Sequence, residues 1–246
     1  MNSSNFNLIA KDYHLKRKKP WRPLEFFIDY LKKKGYSFKG TILDLGCANG
    51  RNFEIISTPP NKLIGIDISH ELLMIAKDNL RNEELFSLNK SKFYQIILAD
   101  IRYLPIRQDS IDCVFTVATL HHIKKKFQRK LTITQIRNIL KNKGQLVLTV
   151  WRKWQRRFRN YFFLEWLKRN FSINYRKQQK AIGLEEFGDK LVTWTLSKER
   201  DVLYRFYHFF SKKELKKLLK DFNILEFKLT GGPTDKDNFF VFGRKS

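Results

Sequence analysis

An open α/β fold, a mostly parallel sheet with helices on both faces, is what the chain up to Trp151 predicts. Three observations carry that expectation. Thr41 to Gly50 reads TILDLGCANG, a β-prone run that ends at Asp44 and opens into a loop bearing Gly46 and Gly50. A second apolar run, LIGID from Leu63 to Asp67, ends in another carboxylate. Strand-like and helix-like stretches then alternate, as βαβ units require. In such sheets a ligand sits outside the C-terminal ends of the strands, where the strand order reverses. Small residues in the first loop let the backbone approach it, and an acid closing the second strand can accept both hydroxyls of a ribose.

The elements follow in order. Leu24, Phe27, Ile28 and Leu31 fall at i, i+3, i+4 and i+7 and predict a helix. Gly35 suits its end, because glycine takes the left-handed cap conformation without a Cβ penalty. Residues 41–44 and 63–67 are strands one and two. Ser69 can cap a helix carrying Leu72, Leu73, Ala76 and Leu80. Residues 93–99, which lead into Asp100, and 110–117 predict strands three and four. Ile133, Ile136 and Leu140 mark a helix, Asn142-Lys143-Gly144 a turn, and residues 145–150 a fifth strand. Ser211 and Glu214 have capping-box spacing ahead of Leu215, Leu218, Leu219 and Phe222. Residues 224–229 and 239–243, on either side of Gly231-Gly232-Pro233, suit a closing β-hairpin.

With 246 residues, 42% of them hydrophobic, the chain suffices for one α/β domain with an elaboration. It has no apolar run of the ~18 residues that a membrane span needs. MNSSNFNLIAKDY lacks the charged and apolar regions of a signal peptide. Cys47 and Cys113 have no cysteine neighbours, which argues against a disulfide framework or a metal site. Two small buried residues in a reducing, cytoplasmic setting is the reading that fits them. Charge is the louder signal: 49 Lys and Arg against 24 Asp and Glu give +25. An excess of that size speaks of a polyanionic partner. A lysine-rich proteome is the plainer explanation, but the charges cluster. Residues 151–180 hold ten basic residues, nine aromatics and a single acid, Glu165. They read as a partly helical insertion after strand five.

The first loop has no G-x-G-x-x-G, and no P-loop occurs in the chain. D-x-G-x-x-x-G followed by Asp67 instead resembles motifs I and II of the class I S-adenosylmethionine methyltransferases. The plainer reading is an ordinary βα turn that uses glycine for its positive φ. The family usually has glycine where Ala48 stands, so the turn is more crowded here and cofactor affinity is expected to suffer. The resemblance implies one Rossmann-like class I methyltransferase domain over residues 1–246. Its sheet would be seven-stranded and mostly parallel, with an antiparallel C-terminal hairpin. It also implies S-adenosylmethionine as cofactor, held by Asp44, Gly46, Cys47 and Gly50, by Asp67 and Ile68, and by Val117. Asp100 would bond the adenine amino group, with Ile101 on the ring. VATLHHI, from Val117 to Ile123, resembles motif IV, which faces the methyl group. His121 and His122 point different ways, and His122 is the candidate to touch substrate.

Features outside the cofactor motifs narrow the resemblance. Residues 1–35 form a basic arm and first helix, with Arg17, Lys19, Pro20 and Trp21 in HLKRKKPWRPLEFF. Strand five ends in Val150-Trp151; Leu191, Val192 and Trp194 follow in DKLVTW; and Arg205, Tyr207, His208 and Phe210 lie in YRFYHFFSKKEL. Together these resemble the tRNA wobble-uridine carboxymethyl methyltransferases, over nearly the whole chain. Phe206 and Thr193 depart from the tyrosine and proline usual in that branch. The branch esterifies 5-carboxymethyluridine, so the resemblance implies a tRNA anticodon loop as partner. A small zinc-binding activator subunit, which eukaryotic members use, is a candidate second partner; a membrane is not. Residues 151–205 become the substrate insertion. Contacts are expected from Lys19, Trp21, Trp151, Arg152, Arg156, Arg157, Arg159 and Tyr207.

A carboxymethyl group is already anionic at neutral pH, its pKa being about 4. It needs no general base, so catalysis should be mostly positioning. Arg17 or Arg205 is expected to hold one carboxylate oxygen, and His208 the base or a phosphate. Cationic aromatic segments suit unstacked bases and phosphates. Two rivals stand beside this reading: a quinone or lipid methyltransferase, and a non-catalytic RNA-binding protein on the same fold.

Overall fold

The computed structural model describes residues 3–57, 61–82, 93–197 and 201–246. Residues 1–2 of the arm and 198–200 of the insertion thus lie outside the described residues. Five parallel strands make the centre: β1 (Thr41–Leu45), β2 (Lys62–Asp67), β3 (Phe93–Leu98), β4 (Ile111–Val117) and β5 (Leu140–Trp151). β6 (Asp189–Thr195) and β7 (Val202–His208) pair as a separate antiparallel sheet. β8 (Phe222–Thr230) and β9 (Asn238–Lys245) return antiparallel to the main sheet, whose order is β3-β2-β1-β4-β5-β9-β8. The order reverses beside β1, which pairs with both β2 and β4. Among the described residues no helix is long and apolar enough to cross a membrane.

Two cores sandwich the sheet, and alternation along each strand sorts residues between them. Leu43, Leu45, Val114, Leu146, Leu148 and Val241 face one core; Ile42, Cys113, Phe115, Val147 and Phe240 face the other. Helix α1 (Ser3–Lys16) precedes α2 (Arg22–Lys33), which buries Leu24, Phe27, Ile28 and Leu31 in the second core. The short α3 (Phe53–Ile56) and α4 (His70–Asn82) cover that face too. The Leu72 N–H donates to Ser69 Oγ at 3.2 Å, the expected cap. On the other face lie α5 (Lys126–Ile139) and, past the insertion, α8 (Lys212–Leu218), which starts in a complete Ser211–Glu214 capping box. The insertion holds α6 (Arg159–Phe171), α7 (Ile173–Ala181) and the β6–β7 pair around a third core of Phe158, Phe162, Val192, Tyr207 and Phe209.

Three departures from the expected elements have physical reasons. α1 runs through what reads as an arm. Its apolar side chains do not form one stripe, since Ile9 and Ala10 are buried while Leu8 and Leu15 are exposed. β5 starts earlier than residue 145 because the turn at Lys143 (φ +60°) is a bulge inside the strand. The register moves there from Ile111↔Leu140 to Cys113↔Gln145. The insertion, which reads as partly helical, also contains the β6–β7 pair, and that pairing sets Arg205 opposite Val192.

Candidate active site

A cavity of about 500 Å³ opens above the C-terminal ends of β1, β2 and β4. Its floor is the loop after β1, where Gly46 (φ +77°) and Gly50 (φ +75°) hold conformations that glycine takes freely. A Cβ on Gly46 would lie 2.2 Å from Thr119 Oγ1, so only glycine lets the loops after β1 and β4 meet. Ala48 takes φ +50° beside them. Its N–H donates to Asp67 Oδ2 at 2.9 Å, and the Ser69 N–H donates to Asp67 Oδ1 at 2.9 Å. Each Asp67 oxygen thus has one backbone donor and a lone pair to spare at the cavity wall.

These residues fit the cofactor that motifs I and II imply. Asp67 supplies acceptors for ribose hydroxyls, and Gly46, Cys47, Ile68, Ile101 and Val117 line the same cavity. Asp44 is buried behind the loop and its Oδ1 has no hydrogen-bond partner. Burial, and then the charge of Asp67, push the Asp44 carboxyl up to about 7, against the pull of Arg51. An unpaired carboxyl behind the cradle suits a cationic ligand. Arg51 lines the cavity and faces the ring of Tyr13 at 5.9 Å.

Helix α1 roofs the cavity with Phe6, Ile9 and Tyr13, and Arg17 follows it. Polar bolts tie it down. Ser69 Oγ donates to Asn7 Oδ1 at 2.6 Å, and the Asn49 amide donates to His14 Nδ1 and to the Arg17 carbonyl, both at 3.0 Å. Trp194 Nε1 donates to Asp12 Oδ2 at 2.6 Å. Neither α1 nor the residues Phe6, Tyr13, Arg51 and Trp194 are predicted from the motifs; only Trp194 carries a sequence signal, in DKLVTW.

The far wall is aromatic and cationic. Trp151 stacks on Tyr207 at 4.4 Å, and His121 stacks on the same ring at 4.8 Å. The Arg205 guanidinium lies 4.5 Å from the Trp194 ring and 5.2 Å from that of Tyr207, with its Nε buried and unpartnered. His122 Nδ1 donates to the Phe206 carbonyl at 3.0 Å. Burial first, and then Arg205, hold His122 down to about 3; burial, and then the neighbouring His122 and Arg205, hold His121 well below the usual imidazole range. Both rings are neutral near pH 7.

Several expected residues stand apart from this wall. His208 is buried, with Nδ1 2.7 Å from Asp189 and Nε2 2.7 Å from Glu214, so it is sealed off from substrate. Glu186, Asp189 and His208 place ligand atoms within 4.8 Å of one another. Their companions are cations: Arg129 meets Glu186 at 2.8 Å, and Lys153 approaches Glu214 at 3.9 Å. The cluster is an ion network that fastens the insertion to α5 and α8. Asp100 is set back from the cavity and grips Arg102 with both oxygens, at 2.5 to 3.0 Å, so an adenine contact would have to displace an arginine. Gly50 shapes the loop without lining the cavity. Lys19, Arg156 and Arg159 are exposed outside it, and Arg152 is turned to the Trp154 carbonyl at 2.8 Å. Trp21, Trp151, Arg157 and Tyr207 do line it. Cys47 and Cys113 are buried free thiols.

Known proteins agree with this geometry. A family described as a methyltransferase domain matches residues 43–148. A protein of Encephalitozoon cuniculi, named only as a methyltransferase, is 25% identical over 94% of this chain and 89% of its own length. The tRNA (carboxymethyluridine(34)-5-O)-methyltransferase of Arabidopsis thaliana is 29% identical over 59% of this chain, a stretch that makes up 31% of the plant protein. In structure, an S-adenosylmethionine-dependent methyltransferase of Methanosarcina mazei overlays with a TM-score of 0.67 at 21% identity, covering 87% of this chain and 96% of that one. With the cradle described above, these likenesses establish the class I methyltransferase fold with S-adenosylmethionine as its cofactor, and a sequence similar to the tRNA carboxymethyluridine methyltransferases.

Proposed function

We propose that the chain methylates the carboxylate of 5-carboxymethyluridine at the wobble position of tRNA. The observation that carries this reading is Arg205. Its guanidinium is held between two aromatic rings at the cavity wall, and its buried Nε has no partner. A buried unpaired donor costs roughly 1–3 kcal/mol. A substrate carboxylate removes that cost and is the anion an arginine fork fits best. Bound S-adenosylmethionine supplies an electrophilic methyl group. The chain's own work is then to hold one carboxylate oxygen on Arg205, leave the other free as nucleophile, and keep water out beneath α1.

The neutral histidines agree with a substrate that needs no deprotonation. His122, held to about 3, is a poor base for a hydroxyl or an amine. A quinone methyltransferase would need such a base. The relatives named for carboxymethyluridine support the same substrate. From Arg157 at the cavity's edge outward, Arg156, Arg159, Arg176 and Lys177 are exposed along the insertion, near exposed Phe163, Trp166 and Phe171. That surface suits the phosphates and bases of an anticodon arm.

The test is methyl transfer from labelled S-adenosylmethionine to tRNA bearing 5-carboxymethyluridine. We expect the label to leave in mild alkali, as a methyl ester must. No transfer, or label stable to alkali, would discard the carboxylate reading. For the RNA surface, Arg156→Glu, Arg157→Glu and Arg159→Glu together should weaken tRNA binding and flatten its salt dependence. Each lost phosphate contact lowers the log–log slope by about 0.7 to 0.9. An unchanged slope would leave these arginines as a merely solvated face.

A further inference from the structure

Resting on that reading, we propose that His121 and His122 read the Watson–Crick edge of the target base as a fixed donor–acceptor pair, which accepts uracil and rejects cytosine. The two rings are held in opposite tautomers by their backbone partners. His122 Nδ1 faces the Phe206 carbonyl at 3.0 Å. A carbonyl can only accept, so Nδ1 carries the hydrogen and Nε2 is an acceptor. His121 Nδ1 faces the Trp151 N–H at 3.4 Å. That nitrogen therefore accepts, and the hydrogen of His121 sits on Nε2, a donor. Both residues line the cavity, and among the described residues neither Nε2 meets a protein partner.

The rings are also fixed in orientation. His121 stacks on Tyr207 with 25° between planes, and His122 stands edge-on to Phe6 at 5.2 Å and to Tyr207 at 4.4 Å. The two imidazoles lie 4.6 Å apart at 71°. Burial and the nearby Arg205 keep both uncharged, so a second proton does not blur the pattern. Methyl transfer to a carboxylate leaves these nitrogens without any other task.

Uracil offers the matching pattern. Its O4 accepts and its N3–H donates, and O4 neighbours the C5 position that bears the carboxymethyl group. A base whose carboxylate reaches Arg205 would present O4 and N3–H next along its edge. Cytosine reverses the order, with an amino donor at C4 and an acceptor at N3. It would set donor against donor and acceptor against acceptor. Sites built to hydrogen-bond a substrate reject an analogue that leaves their buried groups unpaired, by roughly a hundredfold or far more.

The experiment compares two anticodon stem-loop RNAs that differ only in bearing 5-carboxymethyluridine or 5-carboxymethylcytidine. Esterification by the wild-type chain is expected to favour uridine by about a hundredfold or more in kcat/KM. His122→Phe keeps the ring and removes the acceptor, so the preference should collapse to about tenfold or less. Calorimetry with S-adenosylmethionine checks that the variant has folded. A wild type that esterifies both bases alike, or a folded His122→Phe that keeps the full preference, overturns the histidine assignment and leaves the carboxylate reading standing. A wild type that esterifies neither RNA overturns the wobble-uridine reading and this inference with it.

Discussion

The cofactor side and the substrate side of the cavity are built from different materials. The cofactor side is backbone: two glycines at positive φ, a loop closed on Asp67 by N–H donors, and buried carboxyls at strand ends. The substrate side is side chain: Trp151, Trp194 and Tyr207 around Arg205, roofed by α1. A backbone cradle holds a ligand that never changes. Aromatic and cationic groups on an appended sheet are free to diverge with the substrate. It follows from this division that each side can be damaged without the other.

The sharpest break should come at Arg205. Arg205→Ala is expected to lower turnover on carboxymethyluridine tRNA at least a hundredfold, about 2.7 kcal/mol of transition-state stabilisation. Affinity for S-adenosylmethionine should hardly move. Lysine should rescue poorly, because it lacks the planar fork that sits between Trp194 and Tyr207. Arg17 is exposed and bonded to its neighbour's carbonyl, so Arg17→Ala should cost less. Equal losses at both positions would move the anchor to a shared site at the mouth.

The reverse break is Asp67→Ala. It removes the acceptor for the ribose hydroxyls, and hydrogen bonds to a charged group are worth about 1.5–3 kcal/mol. Calorimetry should show S-adenosylmethionine binding weakened roughly tenfold or more, with tRNA affinity intact. Unchanged cofactor affinity would remove Asp67 from the site.

The contrast also explains what could be read in advance. Gly46 and Asp67 lie in two short segments whose chemistry is local, so their spacing already puts them beside one cavity, while Asp44 and Gly50 of the same motif stand behind its wall. The substrate side depends on partners far apart in sequence. Nothing around His208 announces that Asp189 and Glu214 will clamp both its nitrogens. Asp100 was expected on adenine, but Arg102, two residues on, competes for it at close range. α1 escaped because its buried residues face a cavity roof rather than a core, so no clean stripe forms.

Acidity separates the sides more gently. Asp44 is buried and sits near 7, well above an unfolded aspartate. The empty fold should therefore lose stability as pH rises from about 4 to 7, because the unfolded chain gives up this proton first. S-adenosylmethionine is cationic and favours the ionised carboxyl. Its affinity should then rise with pH, by up to about tenfold between pH 5.5 and 7. Asp44→Asn should flatten both profiles. A pH-dependent affinity that survives in this variant would assign the titration elsewhere.

The smallest effect is the most telling about the cradle. Ala48 holds φ +50°, a left-handed conformation that costs an L-residue roughly 1–2 kcal/mol over glycine. Crowding at this position was expected to weaken cofactor binding. The geometry locates the strain elsewhere. The Ala48 N–H donates to Asp67, a bond between two of the chain's own groups, so the fold itself holds the loop in this conformation. The strain is then borne in folding, not in binding. Glycine relieves it but frees the unfolded chain, which returns about 0.4–1 kcal/mol. Ala48→Gly should raise Tm by about 2–4 °C, the shift that roughly 1 kcal/mol gives in a domain of this size. Affinity for S-adenosylmethionine should change by less than about threefold, which is under 1 kcal/mol. Tighter binding without a rise in Tm would mean that the loop closes only around its ligand, and the preformed cradle that separates the two sides would be lost.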